Sequence, residues 1–191
     1  FFMSKNLIFF MPSIDDGGVE KNLFIISNFF SKHLSNLSII TLSRQYKKKF
    51  NKNIKFIAPK HKFWNNFGRR KKFIIALCLL MIEILKNRNV LVFSFQGNIY
   101  CTLLCKILGV KVIIRSNSAP EGWGQSWLKY YGFRYILKFA NLIIVNSKDF
   151  KKKLKLKYNL NAVDIYNPLN LSEIKSKAKI KNKYEFPQKK I

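Results

Sequence analysis

The chain of 191 residues draws 48% of them from the hydrophobic set, which is the usual share for a globular domain and excludes a disordered basic tail. Lys and Arg number 36 against 9 Asp and Glu, so the formal net charge of +27 predicts attraction to polyanions such as nucleic acid, anionic lipid or diphosphate groups. The three Cys occur in no CxxC arrangement, which excludes a disulfide-stapled secreted miniprotein and favours reduced thiols in a cytosolic compartment.

Strand-length apolar runs alternate with helix-length segments along the chain. In chain order, the pattern predicts a strand at 6–11, a helix at 19–34, strands at 37–42 and 54–58, a helix at 70–86, a strand at 90–95, a helix at 99–108, a strand at 111–115, a helix at 125–139, a strand at 142–146, a helix at 147–158 and a strand at 163–166. The runs at 90–95, 112–114 and 142–145 are continuously apolar, which is typical of parallel strands buried on both faces. We therefore predict an α/β fold, a doubly wound, mostly parallel sheet flanked by helices.

Ligands of such sheets bind beyond the carboxyl ends of the strands. The loops to consider are 12–18, 96–98, 116–124 and 146–148. The first loop, with the following helix start, reads PSIDDGGVEK, and its two glycines allow a ligand to approach backbone amides at a helix N-terminus, which favours phosphate. The alternative is an ordinary strand-to-helix turn with glycine at a positive φ. The loop matches neither GxGxxG nor a Walker sequence, which disfavours a classical dinucleotide or ATP site.

Groups that could perform catalysis are scarce. Only Asp15 and Asp16 are neighbouring carboxylates, and they form no convincing acid–base pair. His33 and His61 are isolated, and no metal-ligand spacing is present, so no metal site is predicted. Cys101 and Cys105 share a helix face, where core packing is the expected role. Taken alone, the chain looks like a binding domain without a complete catalytic set.

The segment at 63–72, FWNNFGRRKK, joins aromatic residues to four consecutive cations and precedes an apolar helix. This pattern favours docking on an anionic membrane surface. The predicted docking residues are Trp64, Arg69, Arg70, Lys71 and Lys72. The alternative is a buried helix of the α/β layers with a charged N-terminal loop. No segment reaches the length of a membrane-spanning helix.

Three short motifs stand in order along the chain: DGGVEK at 16–21, VNS at 145–147 and YNPLN at 166–170. Together they resemble glycosyltransferase family 4, whose enzymes have the GT-B fold of two Rossmann-like lobes. DGGVEK at 16–21 resembles the family's Gly-Gly-(Ala/Val)-Glu-(Arg/Lys) start. VNS at 145–147 is similar to its late strand and Val-(Ala/Asn)-Ser turn, and YNPLN at 166–170 resembles its Asn-Pro-Val-Asp element. The end of the chain, 187–191, resembles the approach to the second lobe, so the resemblance covers essentially the whole chain.

The resemblance implies the N-terminal, acceptor-binding lobe of a retaining enzyme that moves a sugar from a nucleotide-sugar to an acceptor. Residues 1–170 would form that lobe, and 171–191 a linker toward a C-terminal nucleotide-sugar lobe with a Glu-x7-Glu motif. No two Glu here have that spacing, so we expect this chain to be a fragment that is inactive alone. No cofactor is implied beyond the nucleotide-sugar as co-substrate.

Many bacterial relatives build lipid-linked oligosaccharide, capsule or O-antigen chains of lipopolysaccharide at the inner face of the cytoplasmic membrane. The resemblance therefore implies a cytoplasmic, peripheral membrane enzyme of cell-surface polysaccharide synthesis, whose acceptor is lipid-linked or a glycan. Two alternatives stay open. One is a non-enzymatic, basic membrane-surface binding domain. The other is a nucleic-acid binder, which is disfavoured because Lys dominates over the Arg that reads base edges and no known motif is present.

Site residues follow from position in the family's pattern. Gly17 and Gly18 would lie near the donor diphosphate, where Lys21 adds charge. The acceptor would contact residues at the ends of two neighbouring strands: Gln96, Asn98, Arg115 and Asn117. An Arg clamps phosphate bidentately, which suits a lipid diphosphate. The alternative role for Arg115 and Asn117 is loop capping.

Overall fold

The computed structural model describes residues 6–15, 17–59, 64, 67–117 and 127–178. Seven strands form a single sheet in the order β3-β2-β1-β4-β5-β6-β7, and every neighbouring pair is parallel. The strands are β1 (Asn6–Phe10), β2 (Leu37–Ile40), β3 (Lys55–Ile57), β4 (Val90–Ser94), β5 (Lys111–Ser116), β6 (Leu142–Val145) and β7 (Val163–Asp164). The predicted fold class is thereby confirmed.

Helices connect the strands, as a parallel sheet requires. They are α1 (Gly18–Phe30), α2 (Arg69–Lys86), α3 (Asn98–Ile107), α4 (Trp127–Ile136), α5 (Lys148–Tyr158) and α6 (Leu171–Ala178). Short 3₁₀ turns occupy Arg44–Lys49 and Leu137–Phe139. None of the helices in the described part of the chain has the length and apolar character needed to cross a bilayer.

Both faces of the sheet are apolar and covered. On one face, α2, α3 and α5 bury Leu80, Cys105 and Leu154 against strand residues such as Val92 and Ile114. On the other face, α1 packs Leu23 against strand residues that include Phe9 and Phe93. Because strand side chains alternate between faces, a strand buried on both needs an unbroken apolar run, which explains the composition of β4.

The strand order reverses between β1 and β4. The chain first builds outward through β2 and β3 and then returns to place β4 on the other side of β1. Connections leaving β1 and β4 therefore run to opposite sides, which opens a crevice at the carboxyl ends of these strands.

The ends of two helices show how local sequence fixes the connections. Ser147 Oγ caps α5 by accepting a hydrogen bond from the Phe150 amide at 3.2 Å, and Asn159 ends the helix in the left-handed region at φ 52°. Gly97 precedes α3 at φ +70°. A Cβ on Gly97 would lie 1.8 Å from the ring of Phe73 in α2, so this close approach requires glycine.

The Lys-rich composition of 47–55 and 175–183 is typical of a solvated loop and a solvated tail. The structure differs in part, because Lys47 lies in a 3₁₀ turn and Lys175 in the helix α6. Both lysines are exposed, as the composition predicts.

Candidate functional site

A cavity of about 440 Å³ lies in the crevice at the carboxyl ends of β1, β4 and β5. This volume lies within the usual range for small-molecule sites. Its walls combine apolar groups, which include Met11, Phe95 and Phe133, with a ring of polar and charged side chains. The polar and charged members are Glu20, Arg69, Gln96, Asn98, Arg115, Ser116 and Asn117. All four predicted acceptor residues are therefore lining residues of one cavity.

The side chains of Gln96 and Asn98 form hydrogen bonds between neighbouring segments at this edge. Gln96 Oε1 accepts a hydrogen bond from the Ser13 amide at 3.2 Å, which joins the loop after β4 to the loop after β1. Asn98 Nδ2 donates to the Arg115 carbonyl at 3.0 Å, and its Oδ1 accepts from Ser94 Oγ at 2.9 Å. These bonds hold the floor of the cavity in one geometry, and they occupy both ends of the Asn98 amide.

Arg115 is the largest charged group buried at this edge, with 2% of its surface exposed. Its Nη2 donates to the Ile165 carbonyl and to Asn167 Oδ1, each at 3.0 Å, and its Nε donates to Asn117 Oδ1 at 3.3 Å. The guanidinium thus anchors the loop after β7, as the loop-capping alternative predicts. Within the described residues no carboxylate forms an ion pair with it, and burial lowers the pKa of Arg115.

Two hydrogen-bond donors at the carboxyl edge of the sheet have no acceptor among the described residues. Asn117 Nδ2 is buried and has no hydrogen-bond partner within the described part of the chain. Arg115 Nη1 likewise forms no hydrogen bond there. A buried amide donor without a partner costs about 1–3 kcal/mol, so such a group is expected where a ligand supplies the missing acceptor.

The glycine loop lies beside the cavity. Gly17 precedes α1 in an extended conformation at φ −127°, and Gly18 has open space where a Cβ would lie. Neither glycine has a positive φ, so the turn itself does not require them for that reason. Gly18 and Lys21 are both exposed, and neither is among the residues that line the cavity. Asp16, in the same motif, lies outside the described residues.

Glu20, in the first turn of α1, was not predicted as a site residue. It is buried and contributes its carboxylate to the cavity wall. The sequence contained a signal, since Glu20 stands inside the DGGVEK motif, one turn from the glycines. A Glu in the first turn of a helix is also favoured by the helix dipole, so the sequence alone does not mark Glu20 as a site residue.

The predicted membrane-docking residues separate into two groups. All three of Arg69, Arg70 and Lys71 are exposed, but only Arg69, the first residue of α2, lines the cavity. Trp64 is half-buried and packs on Phe67, with ring centroids 5.2 Å apart. Lys72 is also half-buried.

The remaining candidate groups are structural. Cys101 and Cys105 are fully buried in the core, and burial raises the pKa of the Cys101 thiol well above its usual range. Buried thiols of this kind are inert. Among the described residues, no cluster of His, Cys, Asp and Glu could hold a metal ion.

No protein-family model and no curated protein matches the sequence. Solved structures match its fold. Anabaena HepE, determined in complex with UDP and glucose, is 13% identical, with a TM-score of 0.63 over 88% of this chain and 46% of that protein. A UGT transferase from Siraitia grosvenorii in complex with UDP is 15% identical, with a TM-score of 0.56 over 90% and 54%. A glycosyltransferase from Rickettsia africae is 20% identical, with a TM-score of 0.55 over 88% and 45%.

These neighbours are glycosyltransferases of the GT-B type, and this chain spans about half the length of each of them. Identities this low establish the fold, whereas membership of glycosyltransferase family 4 stays a prediction. The seven-stranded parallel sheet flanked by helices is the Rossmann-like architecture of about half of a GT-B glycosyltransferase.

Proposed function

We propose that this chain is the acceptor-binding lobe of a retaining glycosyltransferase that uses a nucleotide-sugar donor. The observation that carries the proposal is the cavity at the carboxyl ends of β1, β4 and β5, whose wall combines apolar and polar side chains, in a fold shared with half of each GT-B neighbour. A ligand in this crevice lies where open parallel sheets bind their substrates.

The donor would be held mainly by a second lobe, with this chain contributing the glycine loop. Gly18 is exposed and carries no side chain, so a diphosphate approaches its backbone unhindered, and Lys21 adds a positive charge nearby. The HepE structure contains UDP and glucose, which supports a nucleotide-sugar as the donor. Stabilising the leaving diphosphate with amides and cations is the main electrostatic contribution to such a transfer.

The acceptor would occupy the cavity. Gln96 and Asn98 fix its floor, and Asn117 Nδ2 provides a donor that no described residue uses. Glu20 offers a carboxylate that accepts a hydrogen bond from an acceptor hydroxyl. Holding that hydroxyl close to the anomeric carbon of the donor sugar lowers the entropic cost of the reaction.

A second lobe would also cover apolar surface that this chain leaves open. Ile165, Tyr166 and Leu169 follow β7 and are 46%, 63% and 71% exposed. Side chains of this kind are energetically better placed in an interface than in water. Their position after the last strand is consistent with the predicted division into a lobe at 1–170 and a linker at 171–191.

The acceptor is proposed to be lipid-linked or a cell-surface glycan, with the enzyme at the inner face of the cytoplasmic membrane. The support is physical. Arg70 and Lys71 are exposed at the start of α2, and the sole acid of that helix, Glu83, is already paired with Lys55 and Lys86 at 2.9 and 2.7 Å. This surface therefore attracts an anionic bilayer.

Transfer by the full-length gene product tests the proposal. Isotope-labelled nucleotide-sugars are incubated with the protein and native membranes, and label entering lipid or polysaccharide is measured. Gly18→Val should lower the rate by at least about 100-fold, because its side chain blocks the diphosphate, while circular dichroism stays unchanged. The product should keep the anomeric configuration of the donor.

Gly132→Ala is the matched control, because Gly132 also has open space where a Cβ would lie but belongs to α4. Its transfer rate should equal that of the original protein. Equal rates in the Gly18→Val variant would contradict the role of the glycine loop, and a lack of incorporation from every nucleotide-sugar would contradict the proposed function.

A further inference from the structure

The cavity wall carries more positive charge than the structure neutralises. Two guanidinium groups, those of Arg69 and Arg115, line it together with a single carboxylate, that of Glu20. Within the described residues neither arginine forms an ion pair. An unneutralised charge in a crevice with low-dielectric walls attracts a ligand of opposite sign more strongly than the same charge on an open surface.

Of the two arginines, Arg115 carries the inference further, because only 2% of its surface is exposed. Four neutral oxygens, on Asn117, Ile165, Tyr166 and Asn167, accept hydrogen bonds from Nη2 and Nε, while Nη1 donates to no described residue. Neutral oxygens compensate a buried charge only in part, so an anion at the free edge would stabilise it further.

Arg69 approaches the same space from the first turn of α2. A cation at a helix N-terminus opposes the helix dipole, whereas an anion there is favoured by both the dipole and the side chain. Asn117 adds a third donor, because its Nδ2 is buried and has no partner among the described residues. Two donors on neighbouring residues, Arg115 Nη1 and Asn117 Nδ2, thus lack acceptors among the described residues, and the exposed Arg69 adds a positive charge from α2.

We propose that the cavity binds a phosphate or diphosphate group of the acceptor between Arg69, Arg115 Nη1 and Asn117 Nδ2. This inference rests on the proposed function and narrows its acceptor to a phosphorylated molecule. Glu20 repels an anion from the α1 side of the cavity, so the phosphate lies on the side of α2 and β5. The glycine loop lies outside the cavity, which leaves that loop for the diphosphate of the donor.

Binding of inorganic pyrophosphate to the 191-residue chain, measured by titration calorimetry at physiological salt, is the first test. Arg69→Gln should weaken binding by at least about tenfold, the usual effect of losing a charge-assisted hydrogen bond. Arg88→Gln is the matched control. Arg88 is an exposed arginine just after the end of α2, outside the cavity, so its loss changes the net charge equally and should leave the affinity unchanged.

Equal weakening by the two substitutions would mean that pyrophosphate is attracted only by the overall charge, and it would overturn the proposal, as would a lack of binding. Arg115→Lys is a second variant, which keeps the positive charge but loses the planar guanidinium that can donate two parallel hydrogen bonds. It should weaken pyrophosphate binding, and its thermal unfolding is followed in parallel so that loss of folding is recognised.

The source of the phosphate is tested with the full-length gene product. Farnesyl diphosphate represents a lipid diphosphate acceptor, and UDP represents the donor. The proposal predicts that Arg69→Gln weakens binding of farnesyl diphosphate by about tenfold and leaves UDP binding unchanged. A loss confined to UDP would assign the site to the donor and overturn the proposal. The phosphate site would also be overturned if the protein transferred sugar to an uncharged acceptor at a rate that Arg69→Gln leaves unchanged. That result would leave the proposed glycosyl transfer intact.

Discussion

At the scale of single residues, the corner between β4 and α3 shows how one glycine positions the site. Gly97 adopts φ +70°, and the ring of Phe73 occupies the place where a Cβ would project. Phe73 in turn packs edge-on against Phe10 of β1, with ring centroids 6.2 Å apart. The close approach of α2 to this corner brings Arg69, one turn before Phe73, to the cavity.

Gly97→Ala should therefore lower the free energy of unfolding by about 3 kcal/mol, as the sum of a left-handed backbone penalty and the displacement of a packed ring. Gly109→Ala is its control. Gly109 has nearly the same φ, +71°, but no atom lies within 4 Å of where a Cβ would project. Gly109→Ala should therefore lower the free energy of unfolding by only about 1 kcal/mol. Urea denaturation measures both, and equal losses would contradict the packing role of Phe73.

The properties of single residues also explain which cavity-lining residues the sequence could predict. Gln96, Asn98, Arg115 and Asn117 were predictable because parallel strands bring their carboxyl ends to one edge. Arg69 was not, because four consecutive cations contain no signal of which one borders the cavity; α2 must be placed before that is known. Nor does a sequence show that oxygens of Ile165, Tyr166 and Asn167 accept hydrogen bonds from the Arg115 guanidinium.

At the scale of elements, α2 and α3 present apolar side chains to solvent on the side away from the sheet. The most exposed are Ile74 of α2 at 63% and Ile107 of α3 at 71%. Buried positions of the same helices, such as Leu80 and Cys105, pack on the strands. Ile74 lies one turn after Arg70 in α2, and we propose that this combination of apolar and basic side chains docks on an anionic bilayer.

Charge reversal of Arg70 and Lys71 to Glu should weaken binding to phosphatidylglycerol vesicles by at least about tenfold, since each basic residue contributes about 1 kcal/mol near such a surface. Vesicle flotation measures the bound fraction. Lys32→Glu is the control, because Lys32 is exposed just after α1, on the opposite side of the sheet. A similar loss with Lys32→Glu, or binding that survives the double reversal, would argue against docking through α2.

The elements themselves were largely predictable. Continuous apolar runs identified β4, β5 and β6 because only strands covered on both faces have such runs. The helix α6 was not predicted, because it is only eight residues long and contains no apolar run; its Ile174 is exposed.

At the scale of the whole molecule, the strand order places the loops after β1, β4 and β5 around one crevice. The chain matches about half the length of its GT-B neighbours. In the proposed function, a facing lobe would use the cavity for catalysis and the exposed apolar residues after β7 for contact.

The central claim is that the cavity beside the glycine loop holds the acceptor opposite a donor on a second lobe. A crystal structure of the full-length gene product with a nucleotide-sugar tests it most directly. We expect a second α/β lobe facing the carboxyl edge of this sheet, the donor diphosphate at Gly18, and the anomeric carbon over the cavity lined by Asn98 and Arg115. A nucleotide-sugar bound away from this edge, or a second lobe that packs elsewhere and leaves the cavity facing solvent, would contradict the claim.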